Sequence, residues 1–145
     1  MIKLKEITRT NYITCCNLKV SKEQENFVAP NVWSLAKSKY EPECIPLAIY
    51  KNDDMVGFIM YCIDVDDGHY WIYRMMIDER YQRKGYAYEA MRQLINIITA
   101  DKAHDRIYID CVQKNIEAQN LYAKLGFVRT DDYIEKDCVF MRFDY

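Results

Sequence analysis

The alternation of apolar and polar residues predicts that strands and helices follow one another along this chain. Period-two patterns and short apolar runs indicate strands at residues 2–7, 46–50, 55–65, 70–77, 106–111, 127–128 and 136–143. Apolar residues spaced by three and four indicate helices at residues 12–18, at residues 20–40 with a break near 29–31, at residues 87–100 and at residues 115–125. Because no repeat, low-complexity tract or flexible linker separates these elements, we expect one α/β domain over residues 1–145, with its last strands paired antiparallel.

Short polar residues and glycines mark the expected helix ends. Thr10 or Asn11, and further on Asn31, are placed to cap the first two helices. Asn115 opens the last helix, and Gly126 ends it. In the third helix the stripe that we expect to be buried consists of Ala90, Met91, Leu94, Ile95 and Ile98. In the strand before it, the residues that alternate with Ile72, Arg74 and Met76 are Trp71, Tyr73, Met75 and Ile77.

Residues 75–87 join that strand to the third helix through a short basic loop. The first N–H groups of a helix have no internal partner, and the helix dipole leaves partial positive charge beside them. Gly85 and Ala87 leave this backbone accessible, and Arg80, Arg83 and Lys84 add positive charge. The junction therefore suits a pyrophosphate group. A solvated basic loop with a helix-start glycine and no function is an equally good interpretation of the spacing.

Composition and charge narrow the classes of function. The 145-residue chain has a net charge of −2, so no overall basic field argues for nucleic acid. No apolar run reaches membrane-spanning length and residues 1–6 lack the apolar core of a signal peptide, so we expect no membrane partner and a cytoplasmic location. The six cysteines form no C-x-x-C pair, which favours core thiols in a reducing compartment over disulfides or a metal site.

Two motifs occur in the same order, and on the same elements, as in one enzyme superfamily. They are Gln82-x-x-Gly85-x-Ala87, between strand and helix, and Asn115-x-x-Ala118-x-x-Leu121-Tyr122-x-x-x-Gly126-Phe127. Together they resemble the GNAT superfamily of acetyl-coenzyme A dependent N-acetyltransferases over nearly the whole chain. Residues 20–29 (VSKEQENFVA) and 71–82 (WIYRMMIDERYQ) are similar to bacterial diamine and spermidine acetyltransferases. The resemblance therefore implies a polyamine as the acceptor.

The resemblance also implies a fold, a cosubstrate and a set of site residues. The fold would be a mixed, mostly antiparallel sheet flanked by helices, with two strands splayed at the acetyl-coenzyme A cleft. The cosubstrate would be held by Met75, Met76, Ile77, Gln82, Arg83, Lys84, Gly85, Tyr86, Ala87, Tyr88, Asn115 and Ala118. Tyr122 matches the general acid that protonates departing coenzyme A, although its place beside Leu121 also suits the apolar stripe of its helix. Direct transfer needs no metal, and family members are often homodimers.

The acceptor side is less determined by the sequence. Distant polyamine acetyltransferases place an acidic residue on the strand that here carries Tyr73 and Arg74, so no general base is carried over. The carboxylates that remain open for this role are Glu23, Glu25, Glu41, Asp64 and Asp110. Glu41, Asp64 and Tyr73 are expected to bind the small-molecule amine, since carboxylates complement ammonium groups. For the acidic residues at 41–43 and 64–67, however, a solvated connector and a hairpin turn are the favoured explanations.

Other functions remain compatible with the same motifs. Within the reaction class, the acceptor could be an aminoglycoside-like antibiotic, a free amino acid or a protein N-terminus. A non-catalytic acyl-coenzyme A sensor would keep residues 82–87 and could lose Tyr122, so the complete second motif favours an enzyme. A nucleoside triphosphatase is disfavoured because the chain has no G-x-x-x-x-G-K-[ST] segment.

Overall fold

The computed structural model describes residues 1–145, which form seven strands and four α-helices. In chain order the elements are β1 (Ile2–Glu6), α1 (Tyr12–Asn17), α2 (Asn31–Tyr40), β2 (Ile45–Lys51), β3 (Asp54–Ile63), β4 (Tyr70–Ile77), α3 (Tyr86–Thr99), β5 (Arg106–Val112), α4 (Ile116–Leu125), β6 (Val128–Arg129) and β7 (Cys138–Asp144). Two short 3-10 turns, Lys22–Gln24 and Glu79–Tyr81, lie in the connections. No helix is both long enough and apolar enough to cross a membrane.

The strands form one sheet in the order β1-β2-β3-β4-β5-β7-β6. All neighbouring pairs are antiparallel except β4 with β5. Those two run parallel because helix α3 carries the chain back between them, as a parallel connection requires. The mixed, mostly antiparallel sheet is therefore confirmed, as is the antiparallel pairing of the last strands.

Side chains alternate across the sheet and build a core on each face. On one face Ile59 of β3 packs in a cluster with Tyr122 of α4 and the stripe of α3. On the other face Phe58 of β3 packs in a cluster with Leu18, and Leu35 of α2 lies against it. Helices α3 and α4 thus cover one face, and α1 and α2 the other. The predicted α3 stripe is confirmed, because its buried residues are Ala90, Met91, Leu94, Ile95 and Ile98.

The caps predicted for the first two helices differ from the structure in different ways. Asn11 occupies the cap position of α1, as predicted, but its side chain makes no capping hydrogen bond, because its Oδ1 accepts the Thr8 N–H at 2.7 Å and its Nδ2 donates to the Glu6 carbonyl at 3.0 Å. Asn31 is the first residue of α2, and Pro30 takes the cap position. The buried Asn31 amide instead donates to the carbonyl of Cys15 at 2.9 Å. The Asn31 side chain therefore links α2 to α1 and does not cap the N-terminus of α2.

The predicted helix over residues 20–28 is also wrong. That stretch contains only the 3-10 turn Lys22–Gln24, which is closed by a capping box between Ser21 and Gln24. Side chains that bond to the local backbone in this way offer the chain an alternative to a continuous helix. The segment consequently crosses in front of the sheet as an irregular loop, against the cavity described next.

Candidate active site

Strands β4 and β5 separate halfway along their length. They pair only where residues Tyr70, Trp71 and Ile72 face Ile107, Tyr108 and Ile109. Beyond that point β4 stays paired with β3, and β5 stays paired with β7. The β4 edge at residues 73–77 and the β5 edge at residues 110–112 therefore have no strand between them, and a cavity opens there.

A β-bulge in β4 lies at the point of separation. Arg74 pairs with Met60 of β3 and Ile72 pairs with Tyr61, so Tyr73 is an extra residue without a partner. Bulges bend a strand and are common beside active sites. The bulge also corrects the uniform alternation predicted for this strand. Trp71 and Met76 both belong to the cluster on the face covered by α1 and α2, and Tyr73 packs against it, although Met76 is an odd number of residues from the other two and strict alternation would place it on the opposite face.

The cavity has a volume of about 920 Å³ and is bounded by both splayed strands. The first turns of α3 and α4 close one end, and residues 24–30 close the front. The predicted site residues that line it are Tyr73, Met75, Met76, Ile77, Gln82, Arg83, Gly85, Tyr86, Ala87, Tyr88, Asn115, Ala118 and Tyr122. Lys84, Glu41 and Asp64 lie outside this lining.

The first turn of α3 is left open towards the cavity. Gly85 occupies the cap position with φ 80° and offers no side chain to the helix. The first helical hydrogen bond runs from the Glu89 N–H to the Gly85 carbonyl at 3.2 Å, so the N–H groups of the preceding three residues have no helical partner. A methyl group placed on Gly85 would meet nothing within 4 Å. An anion with several oxygens therefore has both donors and space at this helix end.

Two side chains tie the loop before α3 to the rest of the site. Arg83 adopts a left-handed conformation at φ 62°, and its guanidinium lies 3.9 Å from the Glu117 carboxylate in the first turn of α4. The Gln82 amide nitrogen donates to the Ile77 carbonyl at 2.9 Å and to Gln24 Oε1 at 2.8 Å. Gln82 thus links the end of β4 to the loop that crosses the front of the cavity.

Asp78, which the sequence analysis did not single out, anchors the same loop from the end of β4. Its Oδ2 accepts the Lys19 N–H at 3.0 Å, and its Oδ1 accepts both the N–H and the Nε–H of Arg80. Burial by itself raises the pKa of this carboxyl, but these hydrogen bonds outweigh burial and hold the pKa below its ordinary value. Its position directly after a strand and before a turn is the only signal that the sequence offers.

The start of α4 contributes a capped end and a buried phenol. Asn115 caps the helix as predicted, since its Oδ1 accepts the Ala118 N–H at 3.2 Å. Tyr122, two turns on, is 7% exposed and packs against Phe127 at a ring distance of 6.1 Å. Burial, with the nearby Cys111 and Asp110, raises the pKa of Tyr122. The phenol therefore keeps its proton at neutral pH and can donate it to a group inside the cavity.

The other polar residues expected at the acceptor side bond mainly to one another. The Tyr73 hydroxyl donates to Asp64 Oδ2. The pKa of Tyr73 is raised chiefly by burial and secondly by this hydrogen bond. Asp64 also accepts the Asp66 N–H at 2.7 Å, as in a turn. Glu41 pairs with Lys37 one helical turn away at 2.8 Å. The turn and connector explanations given for these acidic residues agree with these contacts.

Comparison with known proteins identifies the family. The sequence profile of the acetyltransferase (GNAT) family matches residues 7–127. A spermine/spermidine N(1)-acetyltransferase of Bacillus subtilis (strain 168) is 32% identical over 132 residues, which cover 87% of each chain. A probable spermine N(1)-acetyltransferase of Bacillus subtilis subsp. natto (strain BEST195) is 30% identical over the same share.

Solved structures share the fold at low sequence identity. A spermidine N-acetyltransferase from Vibrio cholerae, in complex with CoA and spermine, superposes with a TM-score of 0.78 at 16% identity, covering 99% of this chain and 95% of that one. An aminoglycoside acetyltransferase in complex with coenzyme A gives a TM-score of 0.81 at 16% identity over the same shares. The splayed strands, the open start of α3 and these sequence matches agree, and the chain belongs to the GNAT family of acetyltransferases.

Proposed function

We propose that this acetyltransferase transfers the acetyl group of acetyl-coenzyme A to a primary amine of a polyamine such as spermidine or spermine, with Tyr122 as general acid. The observation that carries the reaction is the opening between β4 and β5, into which the open helix end and the Tyr122 phenol both face. The polyamine acceptor is supported by the relative that is 32% identical over most of both chains.

The residues around the cavity suit acetyl-coenzyme A. The pyrophosphate would lie at the open first turn of α3, where Gly85 leaves space and residues 86–88 offer N–H groups. Arg83, which lines the cavity, would add positive charge there. Lys84 would add charge from the same loop, although it does not line the cavity. The pantetheine arm would run along the free β4 edge, where Met75, Met76 and Ile77 supply backbone groups without a strand partner. Acetyl-coenzyme A supplies the thioester, whose carbonyl carbon the amine attacks.

Two groups of this chain would then stabilise the charge that develops during transfer. A backbone N–H on the free β4 edge can donate to the carbonyl oxygen as it becomes negative. The Tyr122 hydroxyl can donate its proton to the sulfur that leaves. No protein group hydrogen-bonds to this hydroxyl, so its proton is directed to whatever fills the cavity. We also propose that Tyr73 contacts the acceptor and that Asp64 holds the Tyr73 hydroxyl. We propose no contact for Glu41, because it is not part of the lining and pairs with Lys37.

The direct test is release of coenzyme A, measured by thiol detection, with acetyl-coenzyme A and a panel of amines. The panel holds spermidine, spermine, putrescine, an aminoglycoside and free amino acids, and mass spectrometry of the products confirms acetylation. We expect saturable turnover with spermidine or spermine. Turnover only with another amine would refute the polyamine acceptor and leave the enzyme. Tight binding of coenzyme A without turnover on any amine would favour an acyl-coenzyme A sensor.

We further propose that the protein works in the cytoplasm as a homodimer. None of its six cysteines forms a disulfide, and three of them are buried, which suits a reducing compartment. The homodimer rests on the resemblance to the family alone. Analytical ultracentrifugation over a range of protein concentrations would test it, and a single species with the mass of one chain at every concentration would refute it.

A further inference from the structure

We propose that Asp110 of β5 is the general base that takes the proton from the acceptor ammonium. This inference rests on the function proposed above, because it assigns a further residue to the same reaction. Three carboxylates line the cavity, namely Glu25, Asp110 and Glu117. Glu117 faces Arg83 at the cosubstrate end, and Glu25 is exposed at the front. Asp110 is the one that lies at the gap between the splayed strands.

The position of Asp110 in β5 places it opposite the general acid. Side chains alternate along a strand, so Asp110 lies on the same face as Tyr108, which packs in the α1–α2 cluster. Tyr122 reaches the gap from α4, which covers the other face. A proton acceptor and a proton donor therefore flank the gap from opposite faces. An amine that arrives from the α1–α2 face meets Asp110, and the sulfur that leaves lies on the side of Tyr122.

The surroundings of Asp110 suit a carboxylate that exchanges a proton. Asp110 forms no ion pair within 4.0 Å and no hydrogen bond with another side chain, so its oxygens remain free for a substrate. The cation that acts on its pKa is Arg74 of β4, across the gap. Arg74 donates from Nη1 to the Tyr73 carbonyl at 2.8 Å and leaves its Nε without a partner, so it is not locked onto Asp110.

The charges that face Asp110 set when it can accept a proton. Burial raises the pKa of this carboxyl, the Arg74 guanidinium lowers it, and Glu135 in the connection before β7 raises it. Cys111, Cys138 and Tyr122 lie close enough to Asp110 that its negative charge raises the pKa of each of them. A carboxyl whose pKa lies above its ordinary value is a stronger base.

The proton balance of the transfer closes with these two residues. The ammonium gives one proton to the Asp110 carboxylate, and the free amine nitrogen then forms a bond to the thioester carbonyl carbon. The carbon–sulfur bond breaks, and the sulfur takes the proton of the Tyr122 hydroxyl. The new amide nitrogen returns its remaining extra proton to the Tyr122 oxygen, and Asp110 releases its proton to water. The products are the N-acetyl amine, coenzyme A thiol and one proton.

The test compares Asp110→Asn, Asp110→Glu and the wild type in profiles of kcat/KM against pH. We expect Asp110→Asn to lose 100-fold or more in kcat and to lose the acidic limb of the profile. Asp110→Glu should restore part of the rate together with that limb. Asp131→Asn, which changes an exposed carboxylate outside the cavity, is the matched control and should behave as the wild type. Calorimetric titration with coenzyme A checks that each variant still binds the cosubstrate.

Each other outcome has a defined meaning. If the wild type acetylates no amine, the proposed function fails. If the wild type is active and Asp110→Asn keeps its rate and pH profile, the base assignment alone is overturned. A higher KM with unchanged kcat and an unchanged profile would make Asp110 a binding residue and would also overturn it. If Asp110→Asn does not fold, the Arg74→Gln variant tests the assignment instead. Removal of this cation raises the pKa of Asp110 and must move the acidic limb of the profile to higher pH. An acidic limb at the same pH as in the wild type overturns the assignment.

Discussion

Replacement of Tyr122 by phenylalanine separates the chemical role of this residue from its structural one. The ring is buried against Phe127 in the core, while the hydroxyl has no protein partner. The substitution keeps the ring and removes only the proton donor. If Tyr122 is the general acid, the variant should lose activity and keep its fold. If Tyr122 is only part of the apolar stripe, the variant should keep both.

The expected magnitudes differ enough to decide between these roles. A positioned general acid contributes about 10²–10⁴-fold to the rate, or about 3–5 kcal/mol of activation free energy. The Tyr122 hydroxyl faces the cavity and makes no hydrogen bond within the protein, so its removal should change the free energy of unfolding by no more than about 1 kcal/mol. We therefore expect Tyr122→Phe to lower kcat at least 100-fold and to unfold at nearly the same denaturant concentration as the wild type.

Two assays on the same protein preparation test this reasoning. Release of coenzyme A in the presence of the best amine gives kcat and KM, and urea unfolding followed by circular dichroism gives the stability. Tyr40→Phe is the matched control, because Tyr40 is 83% exposed at the end of α2 and lies outside the cavity. A Tyr122→Phe variant that keeps more than about a third of the wild-type kcat would refute the acid, since general acids contribute far more than that.

Two further predictions concern stability. Gly57→Ala should destabilise the fold by about 1–3 kcal/mol or more in urea unfolding, because the added Cβ would lie 2.4 Å from the backbone oxygen of Met76. Gly68→Ala is the control. Its Cβ would meet nothing within 4 Å, so the variant should lose only about 1 kcal/mol, through the strain of its positive φ. Equal costs for the two would contradict the close approach of β3 to β4. Asp78→Ala should cost about 2–4 kcal/mol at pH 7 through its lost charged hydrogen bonds. Since the folded-state pKa of Asp78 lies below that of the unfolded chain, this difference should shrink as the pH falls below about 4 in acid titrations, and a difference that stays constant would refute the ionic contribution.

The elements of the fold that the sequence predicted well are those with a regular pattern of apolar residues. The α3 stripe, the start of α4 at Asn115 and its end at Gly126 follow from spacing and capping chemistry that act within a few residues. Asn31 shows the limit of such local rules. A capping residue in the sequence became a buried link to Cys15, because a partner 16 residues away competed with its own helix end.

The site was predicted unevenly for the same reason. Motifs on contiguous residues, from Gln82 to Ala87 and around Tyr122, indicated residues that line the cavity, with Lys84 as the exception. Gly57 and Asp78 were missed, because their roles depend on strands and loops that meet only in the folded chain. Glu41 was expected near the acceptor because of its charge, but it does not line the cavity, and its carboxylate pairs with Lys37 of the preceding helix.

The bulge at Tyr73 explains why the acceptor side was the least predictable part. Without the extra residue, side chains two apart in β4 would share a face, and Arg74 would lie with Ile72 on the side of α3 and α4. With it, the alternation changes phase, so Met75 packs on that side and Arg74 faces the side of Asp110. One inserted residue, at the point where the sheet opens, therefore brings a cation towards the carboxylate that we propose as the base. No pattern of apolar residues in the strand reveals such an insertion, because both phases leave an equally apolar sequence.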